Sequence, residues 1–231
     1  MLGTIVNSLA VVLASLLGIS LKNGIKEEYQ NTIMDGIGLA VIIIGIMGGI
    51  KSQNIVLVVV SLAIGSIMGE KLDIEGRLDR LGKKAEKLFG KGDSNFSNAF
   101  VSATLVYCIG AMAIVGALES GLTGNHQTLF AKSALDGISA IIFASTMGIG
   151  TAFSAIPIFI YQGSMTLLAN YVKDILTPEV ITEMSAVGGI LIMAIGINLL
   201  NIKKIKVGNM LPSIFIPVFY FLFSNLIVKV I

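Results

Sequence analysis

The sequence has few of the residues that build disulfides, metal sites and charged surfaces. Cys108 is the only cysteine and His126 the only histidine, which excludes an internal disulfide, a cysteine-built metal site and a helical pair of histidine ligands. Charged residues make up 13% of the chain, about half the share usual in a soluble domain. The net charge of +2 and the lack of a basic stripe interleaved with aromatics give no reason to expect nucleic acid as a partner.

The motifs of enzymes and ATP-driven pumps are missing as well. The sequence contains no phosphate-binding glycine loop, no nucleophile elbow and no metal-binding helix motif. We therefore expect a protein that is not an enzyme and that carries no cofactor or metal.

Apolar sequence is what the chain has in excess, at 55% of its residues. A water-soluble fold could not hide this much apolar surface, so lipid must be the solvent for much of it. We predict an all-α, polytopic helical membrane protein in a lipid bilayer. The first apolar run starts at Leu2 with no basic residue before it, which favours a retained first span over a cleaved signal peptide.

The apolar runs predict eight spanning helices, because each crossing needs roughly 20 apolar residues. We place the spans near 2–20, 33–50, 54–70, 98–118, 132–150, 153–172, 184–200 and 211–228. Pro212 and Pro217 lie in the last of these, so it is expected to be kinked or partly re-entrant.

Orientation is predicted from the positions of Lys and Arg. With eight spans, twelve of the sixteen basic residues fall in the three segments on one side, between spans one and two, three and four, and seven and eight. That side is then cytoplasmic and both termini lie outside. Residues 71–97 form the one sizeable polar segment, with apolar residues at helical spacing. It is either an amphipathic helix at the inner leaflet or a solvated connector.

An internal repeat appears at a shift of 101 residues. Residues 32–38, at the start of span two, share Asp-Gly-Ile with residues 133–139, at the start of span five. Each unit would hold three spans, 1–70 and 98–172, with 173–231 adding two more. Units with an odd number of spans run through the membrane in opposite directions, as in many secondary transporters. Chance matching of glycine-rich apolar helices is the alternative.

Two carboxylates occupy equivalent positions in this repeat, Asp35 and Asp136. They are candidates for coupling to Na⁺ or H⁺, since an ionisable residue within a span is costly and tends to be functional. An acid in the first helical turn can instead complement the helix dipole and bind free backbone N–H groups.

The sixth span is predicted to be interrupted. Glycine, serine, proline and glutamine recur there in an apolar context, and unwound backbone at membrane depth is tolerated where it lines a cavity. The candidate binding residues of this stretch are Gly150, Thr151, Ser154, Pro157 and Gln162. A proline-kinked packing helix is the alternative interpretation.

Other buried polar and small residues have two readings each. Asn7 and Asn198 are additional candidates for binding, although hydrogen bonding between helices would also explain them. The pairs Gly45/Gly49 and Gly65/Gly69 allow close helix crossing, either within one subunit or across the interface of a homo-oligomer.

Four segments of the chain resemble one bacterial family. They are residues 2–7, residues 150–157, residues 161–164 (Tyr-Gln-Gly-Ser) and residues 210–212 (Met-Leu-Pro). The family is that of domain of unknown function 554, and the resemblance covers essentially the whole chain. It implies a bacterial inner-membrane protein, often described as a transport protein, and it brings no established substrate or binding residues.

The sequence therefore predicts a secondary transporter or channel-like carrier of a small solute or ion, with its site near the midplane at the sixth span. The alternative is a non-transporting scaffold or sensor that acts through residues 71–97. Deletion of that segment would distinguish the two, because a carrier should keep much of its flux.

Overall fold

The computed structural model describes residues 1–22, 27–77, 80, 83–84, 95–108 and 111–230. All regular structure within these ranges is helical. The helices are α1 (Leu2–Lys22), α2 (Glu27–Gly49), α3 (Ile55–Leu72), α4 (Phe96–Cys108), α5 (Ala111–Leu122), α6 (Gln127–Met147), α7 (Gly150–Phe153), α8 (Ala155–Leu167), α9 (Ala169–Val172), α10 (Pro178–Leu199), α11 (Val207–Met210) and α12 (Ile216–Val230), with a 3₁₀ helix at Leu211–Phe215 between the last two.

About six of these stretches can cross a membrane. Among the described residues, six are long and apolar enough, namely Leu2–Leu21, Asn31–Gly49, Ile55–Leu72, Gln127–Met147, Pro178–Leu199 and Val207–Ser224. The pair α4 and α5, bent by 60°, makes a seventh if it is one broken span. The predicted sixth span is divided among the short helices α7, α8 and α9. The count of eight spans is therefore not confirmed.

The outer faces of the long helices are apolar. Leu13 on α1 is 61% exposed, and Ile55 and Ile67 on α3 are 65% and 70% exposed. In water each such side chain would forgo the free energy gained by burial. Lipid tails are as apolar as these side chains, so these faces suit a hydrocarbon environment.

The chain forms two compact units. Unit 1 comprises Met1–Ile37 and Arg77–Asn170, and unit 2 comprises Gly38–Gly76 and Tyr171–Ile231. Unit 1 takes helices from both of the predicted three-span repeats, whereas α3 of the first repeat lies in unit 2. The inverted repeat of 1–70 and 98–172 is thus not confirmed and stays a prediction.

In unit 1, small residues bring α1 against α6. Gly3 lies against the Leu129 side chain, and Gly18 lies against the backbone of Ile141. Because both contacts advance in the same direction along the chain, the two helices run parallel. A Cβ atom on Gly18 would collide with the Ile141 carbonyl oxygen, so glycine is what allows the close approach.

In unit 2, both predicted glycine pairs pack within the chain. A Cβ atom on Gly45 would meet the backbone of α10 at Gly189. Gly65 and Gly69 lie against the backbone of Ser213 and Asn209. The two glycine pairs therefore serve packing within the subunit, and a homo-oligomer stays untested.

The predicted amphipathic connector at 71–97 lies largely outside the described residues. Its described part begins where α3 ends at Asp73, whose φ of 49° places it in the left-handed region that commonly terminates helices. Residues 74–77 are again helical. Residues 78–79, 81–82 and 85–94 are outside the described ranges.

Candidate functional site

A buried ion pair lies on α6 in unit 1. Lys132 and Asp136 are four residues apart, so the helix places them on the same face. Lys132 Nζ donates to Asp136 Oδ1 at 2.8 Å and to Oδ2 at 2.7 Å. Each side chain is only 9% exposed. Ionisable groups within apolar helices are costly, and for that reason they commonly mark functional sites.

Asn7 on α1 completes the surroundings of the carboxylate. It is fully buried, and its Nδ2 donates to Asp136 Oδ2 at 3.1 Å. Thr4, Asn7 and Ser8 follow helical spacing on one buried face of α1. The parallel packing of α1 and α6 brings this polar face against the ion pair.

The stretch that follows α6 is interrupted, as predicted. Gly148 has a φ of 93°, a left-handed value that favours glycine, and it ends α6. The one-turn helix α7 then gives way at Ser154, whose Oγ donates to the Thr151 carbonyl oxygen at 2.6 Å. Gly150 lies so close to the Phe96 carbonyl that a Cβ atom would collide with it. Pro157 lies in the first turn of α8, where its missing N–H is tolerated.

Gln162 on α8 is the most unusual member of this region. It is fully buried, and neither of its amide atoms has a hydrogen-bond partner among the described residues. Thr166 lies one turn further along the same helix, and its Oγ1 is 3.5 Å from Thr4 Oγ1 on α1. Gln162 therefore belongs to the face of α8 that is turned toward α1.

Other buried polar atoms of unit 1 share this condition. Asn7 Oδ1 and Thr151 Oγ1 are among those without a hydrogen-bond partner within the part of the chain that the structure describes. Buried polar atoms are nearly always paired with protein or with water. We call Asn7, Lys132, Asp136, Thr151 and Gln162 the unit 1 polar interior. Its members lie on α1 and on three helices that pack against α1.

Eight of the nine predicted site residues fall in this unit. They are Asn7, Asp35, Asp136, Gly150, Thr151, Ser154, Pro157 and Gln162. Asn198 lies in unit 2, and Asp35 has different surroundings from the other seven. Asp35 is exposed on α2, whereas Asp136 is buried. The two aspartates therefore differ in environment although they share an Asp-Gly-Ile motif.

Asn198 closes the turn that follows α10. Its Nδ2 donates to the Ile205 carbonyl oxygen at 2.8 Å, and its Oδ1 accepts from the Ile205 N–H at 2.7 Å. Asn201, at a φ of 55°, ends the helix in the left-handed region. These bonds satisfy both ends of the Asn198 amide and give it a structural explanation within unit 2.

Sequence reasoning missed two buried charged residues. Lys132, at the first position of predicted span five, was not among the predicted site residues, although its four-residue spacing from Asp136 was a usable signal. Glu183 on α10 is 3% exposed and binds the turn between α2 and α3. Its carboxylate accepts from Ser52 Oγ at 2.6 Å, from the Gln53 N–H at 2.8 Å and from the Asn54 N–H at 3.2 Å.

A polar network also closes the end of α3 in unit 2. The Glu70 carboxylate accepts from Lys206 Nζ and from Asn209 Nδ2, each at 2.6 Å. The hydrogen bond to this carboxylate raises the pKa of Lys206. Glu75 accepts from the Gly208 N–H and donates its own N–H to Asn209 Oδ1, each at 2.7 Å. These groups satisfy one another, which indicates a structural role. Among the described residues, no group of three or more His, Cys, Asp or Glu side chains could hold a metal ion.

Comparison with known proteins places the chain in a family. The model of the family described as "Protein of unknown function (DUF554)" matches residues 2–222. The chain belongs to the DUF554 family. This confirms the resemblance noted from the four sequence segments.

Two relatives of this DUF554 chain extend the comparison. It is 38% identical over 221 residues to "Uncharacterized membrane protein YdfK" of Bacillus subtilis (strain 168), covering 94% of each chain. It is 32% identical over 218 residues to "Uncharacterized protein YqgA" of Escherichia coli (strain K12), covering 92% of this chain and 93% of the relative. No solved structure matches the chain. The apolar helices and the membrane relative together establish a membrane protein.

Proposed function

We propose that the protein is a carrier or channel for a small solute or ion, with the unit 1 polar interior as its binding site. The observation that carries this proposal is the fully buried Gln162 amide without a partner among the described residues. It lies in the same compact unit as a buried ion pair.

A buried polar group left unsatisfied costs about 1–3 kcal/mol. Asn7, Thr151 and Gln162 each contribute at least one such atom. A passing solute or bound water that pairs with them would offset this cost. The interrupted helices α7 and α8 support the same reading, because transporters build their sites from broken helices.

Of the two candidate coupling carboxylates, Asp136 has the better supported role. It is buried in the unit 1 polar interior and Asp35 is exposed. A coupling proton or Na⁺ at Asp136 would have to compete with the Lys132 ammonium, whose contacts with the carboxylate are 2.7 and 2.8 Å long. Coupling by Asp136 would therefore require the ion pair to open.

The membrane in which the protein lies, and its orientation there, are also proposed. Relatives in two bacteria support a bacterial membrane, and we assign the inner membrane with both termini outside and residues 71–97 cytoplasmic. The basis is the distribution of Lys and Arg. Lys132 is buried, so with the eight predicted spans twelve of the remaining fifteen basic residues support this orientation. The predicted inverted repeat would allow the site to open alternately to either side.

Reconstitution tests the function directly. Purified protein in liposomes should move at least one member of a panel of Na⁺, K⁺, Cl⁻, urea and glycerol about tenfold faster than protein-free liposomes. Gln162→Ala should reduce that flux. Ser164→Ala is the matched control, because Ser164 is exposed on the same helix and its hydroxyl donates only to the Tyr161 carbonyl. If the protein moves no member of the panel, the proposal is refuted.

A further inference from the structure

The charges of the unit 1 polar interior cancel. Among the described residues of this unit, the buried charged side chains are Lys132 and Asp136. They form one ion pair with both carboxylate oxygens engaged. An ion that entered would find no net charge of opposite sign, and desolvation of an ion is compensated only by such a partner and by hydrogen bonds.

The groups of this interior without a hydrogen-bond partner among the described residues are uncharged, and they include both donors and acceptors. The Gln162 amide offers a donor and an acceptor, Asn7 Oδ1 an acceptor, and the Thr151 hydroxyl either. The bond from Asn7 Nδ2 to Asp136 holds the amide in place, and its oxygen has no partner among the described residues. A solute that matches these groups has its own hydrogen-bond donors and acceptors and carries no net charge.

We propose that the unit 1 polar interior takes a small uncharged solute with hydrogen-bond donors and acceptors, of the amide, urea or polyol class, in preference to an ion. This inference rests on the proposed function. The Lys132–Asp136 pair stays closed during passage and holds Asn7 in position, while Gln162 contacts the solute. A site that hydrogen-bonds its solute discriminates strongly against any other solute that would leave the polar groups of the site unpaired.

The test compares solute classes in proteoliposomes. Flux of urea, acetamide and glycerol is followed by light scattering, and flux of Na⁺, K⁺ and Cl⁻ by ion electrodes. We expect at least one uncharged solute to cross about tenfold faster than in protein-free liposomes, and the ions to cross no faster than there.

Variants of Gln162 locate the site. Gln162→Leu removes both hydrogen-bonding atoms and Gln162→Glu adds a charge without a partner, so each should lower uncharged-solute flux about tenfold. Ser164→Ala should keep the wild-type rate. Elution as a single species in detergent checks that each variant is folded. Lys132→Met/Asp136→Leu removes both charges and the carboxylate that holds Asn7, and it provides a second test if the Gln162 variants fail to fold. It should lower the flux of uncharged solutes and leave the flux of ions at the level of protein-free liposomes.

The outcomes distinguish failure of the solute preference from failure of the carrier function. Flux of ions with no flux of uncharged solutes would overturn the inference and leave a carrier. Flux of uncharged solutes that folded Gln162 variants do not change would overturn the assigned site. The absence of flux for every solute tested would overturn the carrier function, and the inference with it.

Discussion

Replacement of Lys132 by Met measures how strongly the buried ion pair contributes to folding. Met has a similar length and no charge, so the change removes the ammonium while it fills most of the same space. Asp136 keeps its hydrogen bond from Asn7 at 3.1 Å and loses two contacts of 2.7 and 2.8 Å from Lys132.

The expected magnitude follows from the burial of the pair. Each side chain is 9% exposed, so little bulk solvent reaches the pair to replace the lost partner. Removal of one member of a buried ion pair typically costs about 3–5 kcal/mol of unfolding free energy, because the other charge is left uncompensated. Lys132→Met/Asp136→Leu leaves no charge, and its main loss is the unpaired Asn7 Nδ2, about 1–3 kcal/mol. The double variant should therefore be more stable than the single variant.

The assay is unfolding in mixed detergent micelles, followed by circular dichroism as sodium dodecyl sulfate is increased. Lys173→Met is the matched control, because Lys173 is exposed, and it should change the unfolding free energy by less than about 0.5 kcal/mol. If Lys132→Met behaved like this control, the ion pair would not be buried as described. A double variant as unstable as the sum of its two single variants would show that the charges are not coupled.

Three further predictions concern the rest of the chain. Gly45→Val should lower the unfolding free energy by about 1–3 kcal/mol, because any Cβ atom there meets the backbone of α10. Gly36→Ala is the control on the same helix and should be neutral or stabilising, because a Cβ atom there has open space. Equal losses of unfolding free energy for both variants would contradict this packing. Glu183→Gln should lower the unfolding free energy by about 1–3 kcal/mol, because one amide oxygen replaces two carboxylate oxygens that accept three hydrogen bonds. Glu179→Gln is the control, because Glu179 is exposed, and it should lower the unfolding free energy much less in the same detergent titration. Deletion of residues 85–94 should leave most of the flux in proteoliposomes, and loss of flux by a folded protein would favour the scaffold or sensor alternative.

Much of the local structure could be predicted from the sequence. Apolar run length predicted long helices, because a helix in lipid satisfies its own backbone hydrogen bonds. Glycine and serine near 148–154 predicted an interruption, which the structure places at Gly148 and Ser154. Asn7 and Gln162 stood out because polar residues are rare in such runs. Span number was less predictable, since a broken stretch and a bent pair have the same average hydropathy as a straight helix.

The pairing of residues was decided only by the tertiary structure. Asp35 and Asp136 each precede Gly-Ile, yet one is exposed and the other is bound to Lys132 and Asn7. Asn7 and Asp136 are 129 residues apart in the chain, and no local pattern specifies that α1 runs parallel to α6. Hydropathy and turn signals are local properties, and the sequence by itself determined them. Burial, and with it the candidate site, depends on which helix faces which, because that alone sets the partners of a polar group.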